Sequence, residues 1–158
     1  MHFYADPRIA LAGADVSCDR SDLTVQGFGG VFFKAEDPKA LKNWYDQHLG
    51  TSFHKPFGTY FKWRDKDDPA NFGSTTFGIF DKGSDYYAPS AKPFMLNFRV
   101  NNLEALLQKL TSAGVQQVGS IDRYDYGNFA WIMDPEGNKI ELWEPIDEVL
   151  EAYEKANP

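Results

Sequence analysis

The chain has 158 residues, enough for one domain or two small modules sharing a core, and its 42% hydrophobic and 16% aromatic content excludes wholesale disorder. A net charge of −7 argues against a nucleic-acid backbone or an anionic membrane as partner and is compatible with neutral or cationic small molecules. A single cysteine, Cys18, excludes an internal disulfide framework and a cysteine-rich zinc site. No apolar run is long enough to span a bilayer, and Met1–Ala10 lacks a signal-peptide pattern, so the expected location is the cytoplasm.

Residues 1–26 keep no hydrophobic period and read as an N-terminal extension, with Leu23–Gln26 a candidate edge strand. Gly30–Ala35 alternates as a strand. Asp37-Pro38 then opens a helix, because Asp caps free N–H groups and Pro suits the first turn. Leu41, Trp44, Tyr45 and His48 recur at helical spacing, and Gly50 ends the helix. Strands are expected at Thr59–Arg64 and Ser74–Phe80, around a solvated Asp65-Lys66-Asp67-Asp68-Pro69 turn. Asp81–Pro93 reads as a linker. A second strand–helix unit follows: Phe94–Val100, then a stripe of Leu103, Leu106, Leu107 and Leu110 ended by Gly114. A short strand Val115–Val118 and a hairpin, Phe129–Met133 with Lys139–Glu144, complete the second half. The tail is an amphipathic helix with Ile146, Val149, Leu150 and Tyr153 on one face. The expected organisation is an extension (1–26), a two-module domain (27–145, modules 27–84 and 93–145) and a C-terminal helix (146–158).

The chain reads twice. The stretch from Val31 to Leu41 reappears 65 positions later from Leu96 to Leu106. Each half offers a sheet with one helix on its back, and neither half buries both sheet faces alone. The free face must meet its counterpart from the other half or from a second chain, which makes a concave cleft within one chain or between two. This order, with the closing run Asp134-Pro135-Glu136-Gly137-Asn138-Lys139-Ile140-Glu141-Leu142, resembles the vicinal oxygen chelate superfamily, which includes glyoxalase I, extradiol dioxygenases and bleomycin-resistance proteins. The resemblance implies an α+β fold of two tandem βαβββ modules forming a curved sheet around a shared cleft. It also implies a homodimer.

In metal-using members of that superfamily, four cleft positions supply His, Gln or Glu ligands, two per half. The resemblance carries them to Gly30, Gly78, Met95 and Glu141 here. Glycine offers no ligand atom, a thioether prefers soft metals, and one carboxylate does not hold a divalent ion against water. No metal and no other cofactor is therefore expected. His2, His48 and His54 read as surface or structural residues.

Alternation assigns Val31, Phe33, Leu96, Phe98, Val100, Ile140 and Leu142 to the helix side. Their neighbours face the cleft. The expected ligand-binding residues are Phe32, Lys34, Met95, Asn97 and Arg99 from the first strands of the two halves, with Trp131, Met133, Glu141 and Trp143 from the closing hairpin. Lys139 and Phe129 join them, with Thr76 and Phe80 as weaker candidates. Each has a structural alternative. Trp131 and Trp143 can fill the space between the two sheets, Asn97 and Arg99 can pair with Glu141 or surface carboxylates, and Trp44 and Tyr45 read as helix-to-sheet packing. Glu141 is the one catalytic candidate, a metal-free general base if it stands unpaired and its pKa rises.

Three functions fit. The first is a metal-free protein that sequesters an aromatic or drug-like ligand by stacking and a few polar contacts. The second is a lyase, isomerase or dioxygenase of the same superfamily. The third is an interaction module whose cleft is closed by side chains. The acidic balance favours a cationic ligand, while Lys34, Arg99 and Lys139 argue the other way.

Overall fold

A computed structural model describes residues 23–53, 58–65, 69–70 and 72–156. His2, Cys18, His54 and most of the expected extension and Asp-Lys turn lie outside the described residues. The architecture is the α+β arrangement of tandem βαβββ modules around one curved sheet. Among the described residues the first module is β1 (Val25–Ala35), α1 (Pro38–Leu49), β2 (Thr59–Arg64) and β3 (Phe72–Asp81). The second is β4 (Phe94–Val100), α2 (Leu103–Ser112), β5 (Gln117–Tyr124), β6 (Gly127–Met133) and β7 (Lys139–Pro145), followed by α3 (Asp147–Ala156). No helix among the described residues is long and apolar enough to cross a membrane.

The seven strands run in the order β2-β3-β1-β4-β7-β6-β5. Within each module the first and last strands are parallel, and β1 meets β4 antiparallel at the centre. Val31 lies opposite Leu96. These residues begin the two copies of the sequence repeat, so the pseudo-twofold axis passes through their pairing. The same register sets Phe32 opposite Gly78 as it sets Asn97 opposite Glu141.

Local chemistry accounts for the element ends. Asp37 accepts from the Ala40 amide at 2.9 Å, with Pro38 in the first turn of α1. Asn102 caps α2 through the Ala105 amide. In the β6–β7 turn, Asp134 Oδ1 accepts from the amides of Glu136 (2.9 Å) and Asn138 (2.8 Å). Burial pushes the Asp134 carboxyl up, but the Asn138 and Glu136 hydrogen bonds outweigh it and the pKa falls below the usual carboxylate value.

Helices α1 and α2 lie on one face of the sheet. Leu103, Leu106 and Leu107 of α2 pack with Val100, Ala130, Ile132 and Leu142 in the main core. The α1 stripe sits more shallowly: Tyr45 meets Phe77 edge-on at 5.2 Å, whereas Trp44 is half exposed instead of packed on the sheet. Two boundaries differ from expectation. Leu23–Gln26 is not a separate edge strand, because β1 already pairs with β4 from Val25. Strand β5 runs on to Tyr124, past a register shift between Val118 and Asp122; that irregularity breaks the alternation that sequence reading relies on.

Candidate functional site

The opposite, concave face of the sheet carries a row of adjoining side chains set by register: Trp131 opposite Glu141, and Glu141 opposite Asn97. Glu141 is 2% exposed. It is not left unpaired. Asn97 Nδ2 donates to its Oε1 at 2.6 Å and Trp131 Nε1 to its Oε2 at 2.8 Å, and the Tyr86 phenol also donates to Oε2. Asn97 lies this way because β1 is irregular between Phe28 and Gly30 and Gly29 has no side chain; a Cβ there would sit 1.8 Å from Asn97 Oδ1. Burial raises the Glu141 pKa above the usual carboxylate value, opposed by the Tyr86, Asn97 and Trp131 hydrogen bonds and by the Lys139 charge. Three donors aimed at two oxygens suit the ionised form.

One wall of the site comes from the segment between β3 and β4. Tyr87 is fully buried against Phe32, Met95 and Trp131. Tyr86 stacks on Phe80, centroids 5.5 Å apart and rings parallel within 1°. Two lysines fasten this segment. Lys139 Nζ donates to the Tyr86 carbonyl at 2.7 Å, and Lys34 Nζ donates to the Ser84 carbonyl. Each ammonium also sits over aromatic rings, Lys34 over Tyr87 at 5.1 Å and Lys139 over Trp131 at 5.1 Å and Tyr86 at 5.3 Å. Burial lowers the Lys139 pKa against the raising pull of Glu141 and Asp85, and burial, then Glu141, pushes the Tyr86 hydroxyl up.

A second wall is α3. Asp147, in its first turn, takes both carboxylate oxygens to Arg99 Nη2, at 2.8 and 2.6 Å. Arg99 is buried, with its guanidinium 5.0 Å from the Trp143 ring and 5.7 Å from Trp63. This pair anchors the helix so that Val149, Leu150 and Tyr153 border the cleft.

Between these walls lies a cavity of about 870 Å³. Of the residues expected from sequence to bind ligand, Phe32, Asn97, Trp131, Glu141 and Trp143 line it, as do Thr76, Phe80 and Phe129. Met95 is sealed beneath Tyr87, Lys34 and Lys139 are turned to the linker, and Arg99 is taken by Asp147. Met133 pairs with Lys139 beside the closing turn and does not reach the cavity. Sequence reading missed Tyr86, Tyr124, Tyr126 and the α3 residues. A Tyr-Tyr pair in an otherwise polar linker and the aromatic spacing Tyr124, Tyr126, Phe129 were the available signals.

The four positions where relatives place metal ligands do not fit a divalent ion here. Among the described residues no three His, Cys, Asp or Glu side chains converge. Neighbours have also filled the space: a Cβ on Gly78 would lie 2.5 Å from the Phe32 ring, and one on Gly30 would lie 2.5 Å from the Thr76 carbonyl oxygen. Restoring ligands by the paired change Gly30→His and Gly78→Glu is therefore expected to lower the melting temperature and to give no stoichiometric zinc or nickel binding by calorimetry. Tight one-to-one binding would refute this account of the cleft.

The match to known proteins follows the same outline. Residues 30–143 match the family model for the Glyoxalase-like domain, and the chain belongs to that family, within the vicinal oxygen chelate superfamily. Methylmalonyl-CoA epimerase from Mycobacterium tuberculosis is similar in fold (TM-score 0.52, 22% identity, covering 80% of this chain and 93% of that one). So is a methylmalonyl-CoA epimerase variant from Streptomyces coelicolor in complex with 2-nitronate-propionyl-CoA (TM-score 0.58, 13% identity, covering 78% and 99%). A search of curated proteins finds no match.

Proposed function

We propose that this chain is a metal-free small-molecule-binding protein that sequesters an aromatic or drug-like ligand in the cleft between its two modules, acting in the cytoplasm without nucleic acid or membrane as partner. The observation that carries the reading is the open, aromatic-walled cavity of about 870 Å³. Volume and lining match the usual make-up of small-molecule sites. The stacked pairs Phe80–Tyr86 and Phe129–Trp143 present ring faces without needing a metal to orient the ligand. An interaction module with a side-chain-filled cleft fits this volume poorly. The walls come from one chain, so the homodimer expected from family likeness is not needed to complete the cleft.

The test uses Trp131 and Trp143 as reporters. Planar aromatic compounds are expected to quench intrinsic fluorescence saturably, and Trp131→Phe is expected to remove much of the response. A panel of two- and three-ring compounds that leaves the emission unchanged would sink the reading.

A second reading, an isomerase working by proton transfer, draws on Glu141, a cavity-lining carboxyl whose pKa is raised by burial. Its test is exchange of the α-protons of propionyl-CoA in heavy water, followed by NMR. Exchange above the buffer rate and lost in Glu141→Gln supports an enzyme. The sequestering reading expects none. A dioxygenase or metal-dependent lyase has no donor set to rest on among the described residues.

A further inference from the structure

The side-chain donors around Glu141 on the cavity floor are already spent inside the protein, and two others, Trp143 Nε1 and Arg99 Nη1, are buried without a partner and closed off from solvent. Asn97 Nδ2, Trp131 Nε1 and the Tyr86 hydroxyl all point at Glu141. The three cations of the cleft face are engaged too: Lys34 and Lys139 on linker carbonyls, and Arg99 through Nη2 on Asp147. What faces a ligand is the complement of those donors. Tyr86, whose O–H is spent on Glu141, offers its phenol oxygen to a ligand only as an acceptor, and that hydrogen bond polarises it. The rings offer π-faces, negative at their centres, and the protein already seats an ammonium on two of them through Lys139. Toward the mouth, Asp122 and Asp125 line the cavity, and among the described residues neither carboxylate has an ion-pair partner. Lys42 is the one basic side chain among the described lining residues.

We infer that the cavity selects planar organic cations: an aromatic ring system carrying a protonated amine, its N–H directed to the Tyr86 oxygen and its ring stacked against the aromatic walls. The inference rests on the small-molecule-binding reading and sharpens it by naming the ligand's charge. An anionic ligand of the same shape would find the donors around Glu141 already taken and would meet the unpaired Asp122 and Asp125 carboxylates.

The experiment is calorimetry of the full chain with three near-isosteric probes: 9-anthracenylmethylamine, 9-anthracenemethanol and 9-anthracenecarboxylate. The amine is expected to bind at least tenfold tighter than the alcohol, and the carboxylate more weakly than either. In Tyr86→Phe, which keeps the ring and removes the acceptor, the amine-to-alcohol ratio is expected to fall at least fivefold. Should Tyr86→Phe misfold by circular dichroism, Asp125→Asn is the second variant, with the ratio expected to fall and to lose part of its salt dependence. Equal or tighter binding of the alcohol or carboxylate overturns the inference while leaving a binding protein. A ratio unmoved by the folded variant also overturns it. Failure of all three probes to bind overturns the inference together with the reading beneath it.

Discussion

Glu141→Gln is expected to become more stable relative to the unmutated protein as pH rises from about 4.5, the ordinary glutamate value. Burial raises the folded-state pKa of Glu141 above its unfolded value. Between the two values the unfolded chain has lost the proton that the folded chain keeps, so folding stability falls as pH rises through that window and levels off above the folded pKa. The largest slope is about 1.4 kcal/mol per pH unit. Glutamine carries no such dependence. It also fits the hydrogen-bond geometry. Its oxygen accepts from Trp131 and Tyr86, and a flip of the Asn97 amide turns Oδ1, unpartnered in the present arrangement, toward the glutamine NH₂. Glu141→Ala has no such remedy: it leaves the Trp131 and Asn97 donors buried without acceptors, at about 1–3 kcal/mol each. Denaturant titrations from pH 4 to 8 read both effects. If Glu141→Gln gains nothing on the wild type as pH rises, or loses ground, the hydrogen bonds and Lys139 outweigh burial, and the account of this carboxyl would be wrong.

Asp147→Ala is expected to cost about 2–3 kcal/mol, near the lower end for breaking a buried ion pair because the Asp147 side chain is 44% exposed. The cost arises at Arg99, whose side chain is only 7% exposed and is left charged between two indole rings. The loss should concentrate in α3. Hydrogen exchange is expected to accelerate in Asp147–Ala156 while the amides of β4 and β7 stay protected. Arg99→Met, which removes the charge together with its need for a partner, is expected to destabilise less than Asp147→Ala. If it costs more, the pair is not what anchors the helix.

The fold was legible because its signals are local or periodic. Alternation in β1 and β4, the caps at Asp37 and Asn102, and the Asp134–Asn138 turn can each be read from a few neighbouring residues. The 65-residue repeat then fixed the central register, since Val31 and Leu96 face each other. Half the site was legible for the same reason: once a strand's faces are assigned, Phe32, Asn97, Trp131, Glu141 and Trp143 follow. The rest was hidden because it depends on segments far apart in the chain. Nothing near Lys34 announces that Ser84 will take its ammonium, and nothing near Arg99 announces Asp147, 48 positions away. Periodicity told which way these cations point and was silent on what meets them there. That is why the charge of the cleft, left open by composition, turns on the linker and the tail.

The Arg99–Asp147 pair therefore has a meaning beyond anchorage. A guanidinium lying between two indole rings at the edge of the cavity is, without its partner, a receptor for carboxylates. Asp147 occupies that receptor permanently with a side chain of the protein itself. The C-terminal helix thus works as a built-in competitor for Arg99, filling with its own carboxylate the place another anion would take. A single substitution at Asp147 would leave that guanidinium charged and open to an anion from outside the protein.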